Sequence, residues 1–148
     1  MYTTILWATD GSPEADGALS EAVDLLEPGG KLIALHCDQR FFGGRLSGTP
    51  VLPDEGERRA HGHAQGAELR ERGITVEEHV HTTHHDPAAL IAAVADELGV
   101  QVIVSGTRAL HGLPALVGGS VAAHLLRHAT VPVVVVPAPV GTRETVAV

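Results

Sequence analysis

The stretch Val100–Pro137, VQVIVSGTRALHGLPALVGGSVAAHLLRHATVPVVVVP, leaves this chain few folds to adopt. It opens with Val100, Val102, Ile103 and Val104, a short β-branched run of the kind found in buried parallel strands, and Gly106 ends that run. A glycine-punctuated loop then leads through Gly118-Gly119-Ser120 into Val121–His128. In that segment Val121 and Leu125, and Ala122 and Leu126, fall at helical spacing, and the basic residues collect in the last turn, where the helix dipole favours them. Val131–Pro137 reads as a second buried strand closed by proline. Strand, loop, helix and strand form a βαβ unit whose loop sets free N–H groups at a helix N-terminus. Such a terminus suits an anion, a phosphate above all, because glycine admits close approach to unpaired donors. Ser120 adds a hydroxyl there, while an ordinary capped helix after a long loop is the other reading of the same residues. Neither GxGxxG nor GxxxxGK[ST] is present, so the dinucleotide fingerprint and the Walker loop are both excluded.

The spacing carries a resemblance. Gly106, then Ala109, then residues 110–118, then Gly119-Ser120 resemble the ATP-binding pattern of the universal stress protein family. That pattern is Gly, two residues, Gly, nine residues, Gly, then Ser or Thr. Here Ala109 stands in place of the second glycine, and the register is otherwise intact. An alanine is tolerated where φ is negative and obstructive where φ must be positive or a phosphate must touch the backbone. The likeness runs nearly end to end.

Upstream of the βαβ unit, Tyr2–Thr9 (YTTILWAT) reads as a central strand broken by Asp10-Gly11-Ser12-Pro13. Ser12 and Pro13 are suited to the cap and first position of a helix. Its buried stripe is Ala15, Ala18, Leu19, Ala22, Val23, Leu25 and Leu26, with Pro28-Gly29-Gly30 as its stop. Lys31–Cys37 is the second strand. Residues 38–55 form a long irregular stretch holding Phe41 and Phe42, which either pack onto the domain or cover a ligand. Glu55–Arg72 is a polar helix with a narrow apolar face at Ala60, Ala64, Ala67 and Leu69, ended by Gly73. Ile74–His81 alternates as a strand with one wetter face, most simply at a sheet edge, with Ile74, Val76 and Val80 on its apolar side. His81, His84, His85 and Asp86 concentrate metal-ligand residue types, but their spacing matches no closed metal site, and Asp86-Pro87 repeats the capping logic of Ser12-Pro13. Ala88–Leu98 is an amphipathic helix ended by Gly99, and residues 138–148 form an irregular tail.

Alternating strands and helices predict an α/β fold, a doubly wound, open, five-stranded parallel sheet with helices on both faces, Rossmann-like, in one domain over residues 1–148. The first and fourth strands then flank the switch point, and Asp10 meets the Gly106–Ser120 loop at one crevice. The resemblance implies strand order 3-2-1-4-5, a homodimer paired through Val133–Val136, and ATP, with or without Mg²⁺, in that crevice. On that reading Asp10 and Cys37 lie around the adenosine, Ser105 lines the base or ribose, Gly106, Gly119, Ser120 and the Val121 amide hold the phosphates, and Ala8, Thr9 and Ala109 complete the site. Arg108 and His111 fall at variable positions of the loop. Asp10 reads equally as a turn or cap residue, and Cys37 as a small apolar side chain.

The net charge of −8 disfavours nucleic acid and anionic membrane as partners. One cysteine suits a reducing cytoplasm, and no apolar run approaches transmembrane length. Two functions stand. One is a nucleotide-binding regulator of the stress response. The other is a dimeric interaction module of the same family that has lost ATP, which Ala109 favours. An enzyme is the weaker third, at most a slow ATP hydrolase, because Lys31 is the only lysine and none follows the loop.

Overall fold

The structure is a computed structural model that describes residues 1–39, 55–84, 86–106 and 121–137. Its elements are β1 (Tyr2–Thr9), α1 (Pro13–Leu25), β2 (Leu26–Gln39), α2 (Glu55–Glu71), β3 (Thr75–Thr83), α3 (Pro87–Leu98), β4 (Val102–Gly106), α4 (Val121–His128) and β5 (Val133–Val136). The five strands are parallel and ordered β3-β2-β1-β4-β5, as the resemblance implied. β3 lies at an edge, as its alternation predicts, and the order reverses between β1 and β4.

Successive strand side chains point to opposite faces, and each face is covered by its own helices. Ile5 and Trp7 of β1 join Leu32, Ala34, Val102 and Val104 under α1 and α2, with Ala18, Ala22 and Leu69. Leu6 and Ala8 join Ile33, Leu35 and Ile103 on the other face, under Ile91, Val94 and Ala95 of α3 and Leu125 of α4. The caps are those the sequence predicts. Ser12 accepts from Ala15 N at 3.3 Å, Asp86 accepts from Ala88 N at 3.0 Å, and Gly99 closes α3 in the left-handed conformation.

Four expectations are corrected. First, α1 ends at Leu25, and Pro28-Gly29-Gly30 belongs to β2 rather than to a helix stop. Leu26 is already extended and pairs with Tyr2, and the ladder then shifts so that Thr4 pairs with Lys31. The proline and glycines occupy that irregularity, where a strand tolerates them. β2 also continues to Gln39, into the stretch read as irregular, while residues 40–54, with both phenylalanines, lie outside the described residues, as does the tail 138–148.

Second, α2 does not dock through its alanines. Ala60, Ala64 and Ala67 are exposed, and the inward face is Gly62, Gln65, Gly66 and Leu69. The helix lies so close to β3 that a Cβ on Gly66 would stand 3.2 Å from the Glu78 carboxyl carbon. Polar contacts complete the docking. His61 Nε2 and Gln65 Nε2 reach Asp16 of α1 at 2.8 and 2.9 Å, while Arg70 and His63 reach Glu78 of β3 at 2.8 and 3.1 Å. Gly62 is less crowded, because a Cβ there would meet His36 Nδ1 at an ordinary 3.8 Å. Gly62→Ala should therefore raise stability by about 0.5–1 kcal/mol in urea denaturation, through reduced freedom of the unfolded chain. A loss of stability would show that α2 has no room at that position.

Third and fourth, Val80 and Leu126 face solvent, 55% and 63% exposed, although both were placed on apolar faces. Among the described side chains of α4, Leu125 is the fully buried one. β5 is the other sheet edge, and its four valines are half-buried.

Candidate functional site

Among the described residues the buried polar side chains are Thr9, His36 and Ser105, 5%, 6% and 6% exposed. They stand toward the carboxyl ends of adjacent strands, Thr9 and His36 on the face under α1 and α2 and Ser105 on the face under α3 and α4. Thr9 pairs with His36 across β1 and β2, and Ala8 pairs with Ser105 across β1 and β4. Burial of a polar group is costly without a partner, so three of them at one end of an aliphatic sheet mark that end as chemically distinct. It is also the switch point, the place where doubly wound sheets open a crevice.

The turn after β1 is closed by its own side chains. Gly11 N donates to Thr9 Oγ1 at 3.0 Å, Ser12 N donates to Asp10 Oδ1 at 2.9 Å, and Ala15 N donates to Ser12 Oγ. These contacts use donors that an anion would otherwise take, and Asp10 adds a negative charge. The β1–α1 corner therefore suits a neutral hydrogen-bonding group, and a phosphate has to sit elsewhere. Gly11 holds φ +79°, and a Cβ there would lie 2.6 Å from Arg58 Cβ, so α2 is seated directly on this turn.

Of the predicted site residues, Ala8, Thr9, Asp10, Ser105 and Gly106 come together at the ends of β1 and β4. Ser105 Oγ donates to the carbonyl of Gly106 at 3.2 Å. Cys37 lies near the end of β2, one residue beyond the Thr9–His36 pair, and is partly exposed. Val121 begins α4. Ala109, Gly119, Ser120, Arg108 and His111 lie outside the described residues. Sequence reading missed His36, whose only signal is an imidazole at the end of the aliphatic run KLIALH.

The histidine-rich segment is used differently from a metal centre. Among the described residues, no set of three or more His, Cys, Asp or Glu side chains is placed to hold a metal ion. Asp86 caps α3 through Oδ1 and meets His124 Nδ1 through Oδ2 at 2.9 Å. On β3, Glu77 Oε1 accepts from His79 Nε2 at 2.7 Å, and Oε2 meets Lys31 Nζ at 3.2 Å. The hydrogen bond from His79, followed by that from Lys31, holds the Glu77 carboxyl below the usual glutamate range. A carboxylate depressed in the folded state stabilises it above the ordinary carboxylate pKa, and that stabilisation is lost as pH falls through the depressed value. Lys31→Met should move the Glu77 titration upward in carboxyl-carbon NMR, and an unmoved curve would remove Lys31 as a cause. The sole lysine is thus engaged near the amino end of β2, away from the crevice.

A groove of about 240 Å³ lies between α1 and α2, lined by residues that include Asp16, Val23, Gln65 and Arg72. It runs along the helical flank and includes none of the strand-end residues. Among the described residues no helix is long and apolar enough to cross a membrane.

A parallel sheet ordered 3-2-1-4-5, with helices on both faces and buried polar side chains toward the strand ends beside its switch point, defines a doubly wound α/β protein. The family model for the universal stress protein family matches residues 1–137, and the chain belongs to that family. Solved structures share the fold. One is a protein from the universal stress protein family from Burkholderia pseudomallei, 28% identical, with a TM-score of 0.66 over 93% of this chain and 97% of that one. A universal stress protein in complex with cAMP is 24% identical, with a TM-score of 0.61 over 93% and 99% of the two chains. A universal stress protein family protein from Arabidopsis thaliana with AMP bound is 18% identical, with a TM-score of 0.62 over 93% of each. No curated protein matches the chain.

Proposed function

We propose that this chain binds an adenine nucleotide, ATP, at the carboxyl ends of β1 and β4, and acts as a cytoplasmic regulatory protein of the stress response. The observation that carries the reading is the set of polar strand ends at the switch point, where Ser105 of β4 pairs beside Ala8 of β1 and Thr9 leads into the Asp10 turn, whose donors are already engaged. Ala8, Thr9, Asp10 and Cys37 surround the adenosine, with Ser105 along the base or ribose. Gly106, Ala109, Gly119, Ser120 and the Val121 amide hold the phosphates, where α4 begins and its dipole favours negative charge. Mg²⁺ bound to the triphosphate would offset part of its charge. The complexes of relatives with cAMP and AMP support the adenosine monophosphate part of this assignment. The protein works as a single domain over residues 1–148 and as a homodimer through Val133–Val136, an edge strand flanked by Pro132 and Pro137.

The second reading, an interaction module without nucleotide, rests on Ala109. Calorimetric titration with ATP and Mg²⁺ of the natural chain and of Ala109→Gly separates the two. Binding by both supports the nucleotide reading and makes the alanine a tolerated change. Binding only after glycine is restored moves the chain to the interaction class, and silence from both overturns the assignment.

A further inference from the structure

Among the described side chains of the eight-residue helix α4, few make apolar contact with the domain. Leu125 is fully buried, Val121 is partly buried, and Leu126 points to solvent. Polar contacts to α3 supplement these at two places. Thr130 Oγ1, just past the end of α4, donates to Asp96 Oδ1 near the end of α3. Nearer the start of α4, His124 Nδ1 meets Asp86 Oδ2 at 2.9 Å, with both side chains about two-thirds buried at 30% and 35% exposure. Asp86 is already fixed by its other oxygen, which caps α3 on Ala88 N. The pair therefore ties the first half of α4 to a rigid helix start on the same face of the sheet.

We infer that Asp86 and His124 are a positioning pair for the nucleotide phosphates, and that proton uptake by His124 tightens the site. The inference rests on the nucleotide reading above for its consequence, but the clamp itself does not. Histidine is the side-chain type whose charge changes in the neutral range, and a carboxylate partner attracts its protonated form. Attraction across the pair is thus stronger when the imidazole is protonated and weaker once the proton is lost. Among the described residues, the other charged groups on the packed elements include Arg127 and His128, three and four residues further along α4, and all four proteins compared below share them. Asp96 and Glu97 are at the far end of α3, and β5 carries no titratable group. His84, two residues before Asp86, is exposed. Arg108 and His111 lie outside the described residues.

The test compares the full chain with His124→Gln, Asp86→Asn and the double variant. Asparagine caps as well as aspartate, so α3 stays capped when the charge is removed. ATP affinity is measured by calorimetry near pH 6 and near pH 8, and the ligand's own proton equilibrium cancels when proteins are compared at one pH. The natural chain should gain about threefold more affinity on acidification than either single variant, the size expected of an ion pair about one-third exposed, and the double variant should match the singles. Amide exchange of Val121–Leu125 without nucleotide reads the clamp independently, and should be about threefold faster in the variants near pH 6. If ATP binds at neither pH, the nucleotide reading fails while exchange still decides the clamp. Equal exchange in all four proteins, or an unchanged pH ratio for ATP where it binds, overturns the inference.

Discussion

Trp7→Ala should cost about 3–5 kcal/mol of folding stability, a large share of the roughly 5–15 kcal/mol available to a domain of this kind. Trp7 is the only tryptophan, lies at the middle of the central strand and is 1% exposed. Above it α1 presents Ala15, Ala18 and Ala22, and this stripe of small side chains lets the helix approach closely enough to enclose the indole. Trp7 Nε1 donates to the carbonyl of Ala15 at 2.9 Å, so the one polar atom of the ring is satisfied. Alanine would leave a cavity that three alanines above it have no volume to fill. Trp7→Phe should retain more than half of the lost stability, since it keeps a ring and gives up the hydrogen bond. Urea denaturation followed by circular dichroism measures both variants, and a loss below about 1.5 kcal/mol for Trp7→Ala would mean that the sheet and α1 close over the gap.

Gly11→Ala should cost about 2–3 kcal/mol by the same assay, from two causes that act at one atom. The backbone at φ +79° is strained for any side chain, and the new Cβ would stand 2.6 Å from Arg58 Cβ and 3.0 Å from Arg58 Cα. Those atoms belong to the body of α2 and offer no flexible tip to move aside. The helix must lift from the turn, which strains the His61–Asp16 and Gln65–Asp16 contacts together. ATP binding should weaken in parallel, because Asp10 shares the turn. Stability within about 0.5 kcal/mol of the natural chain would show that α2 is not seated on this turn.

The fold was legible because local signals and the global pattern agree. Ser12-Pro13 and Asp86-Pro87 mark two helix starts, Gly73 and Gly99 mark two ends, and aliphatic runs of strand length alternate with them. The beginning of β2 was not legible, since Pro28-Gly29-Gly30 is ordinarily a stop and only pairing with Tyr2 reveals it as an irregular part of a strand. The inward face of α2 was misread for a related reason. Hydrophobicity points to alanines, whereas close approach selects Gly62 and Gly66, and cross-element partners such as Asp16 and Glu78 decide the rest. Periodicity also placed Val80 and Leu126 inward, although an edge strand and a short edge helix have only part of a neighbour to bury them. The positions of Thr9, Asp10, Ser105 and Gly106 at the ends of β1 and β4 were legible, because the aliphatic runs stop there. His36 and the Asp86–His124 pair were not, because they depend on which strands and helices become neighbours.

The central claim is that one nucleotide site lies at the ends of β1 and β4. Amide chemical-shift mapping of the full chain during titration with ATP and Mg²⁺ tests it most directly. The account predicts the largest shifts at Thr9–Ser12, Cys37, Ser105, Gly106 and Val121, with the α1–α2 flank at Val23 and Arg72 unmoved. Shifts centred on that flank, or none at any concentration of ATP, would contradict it.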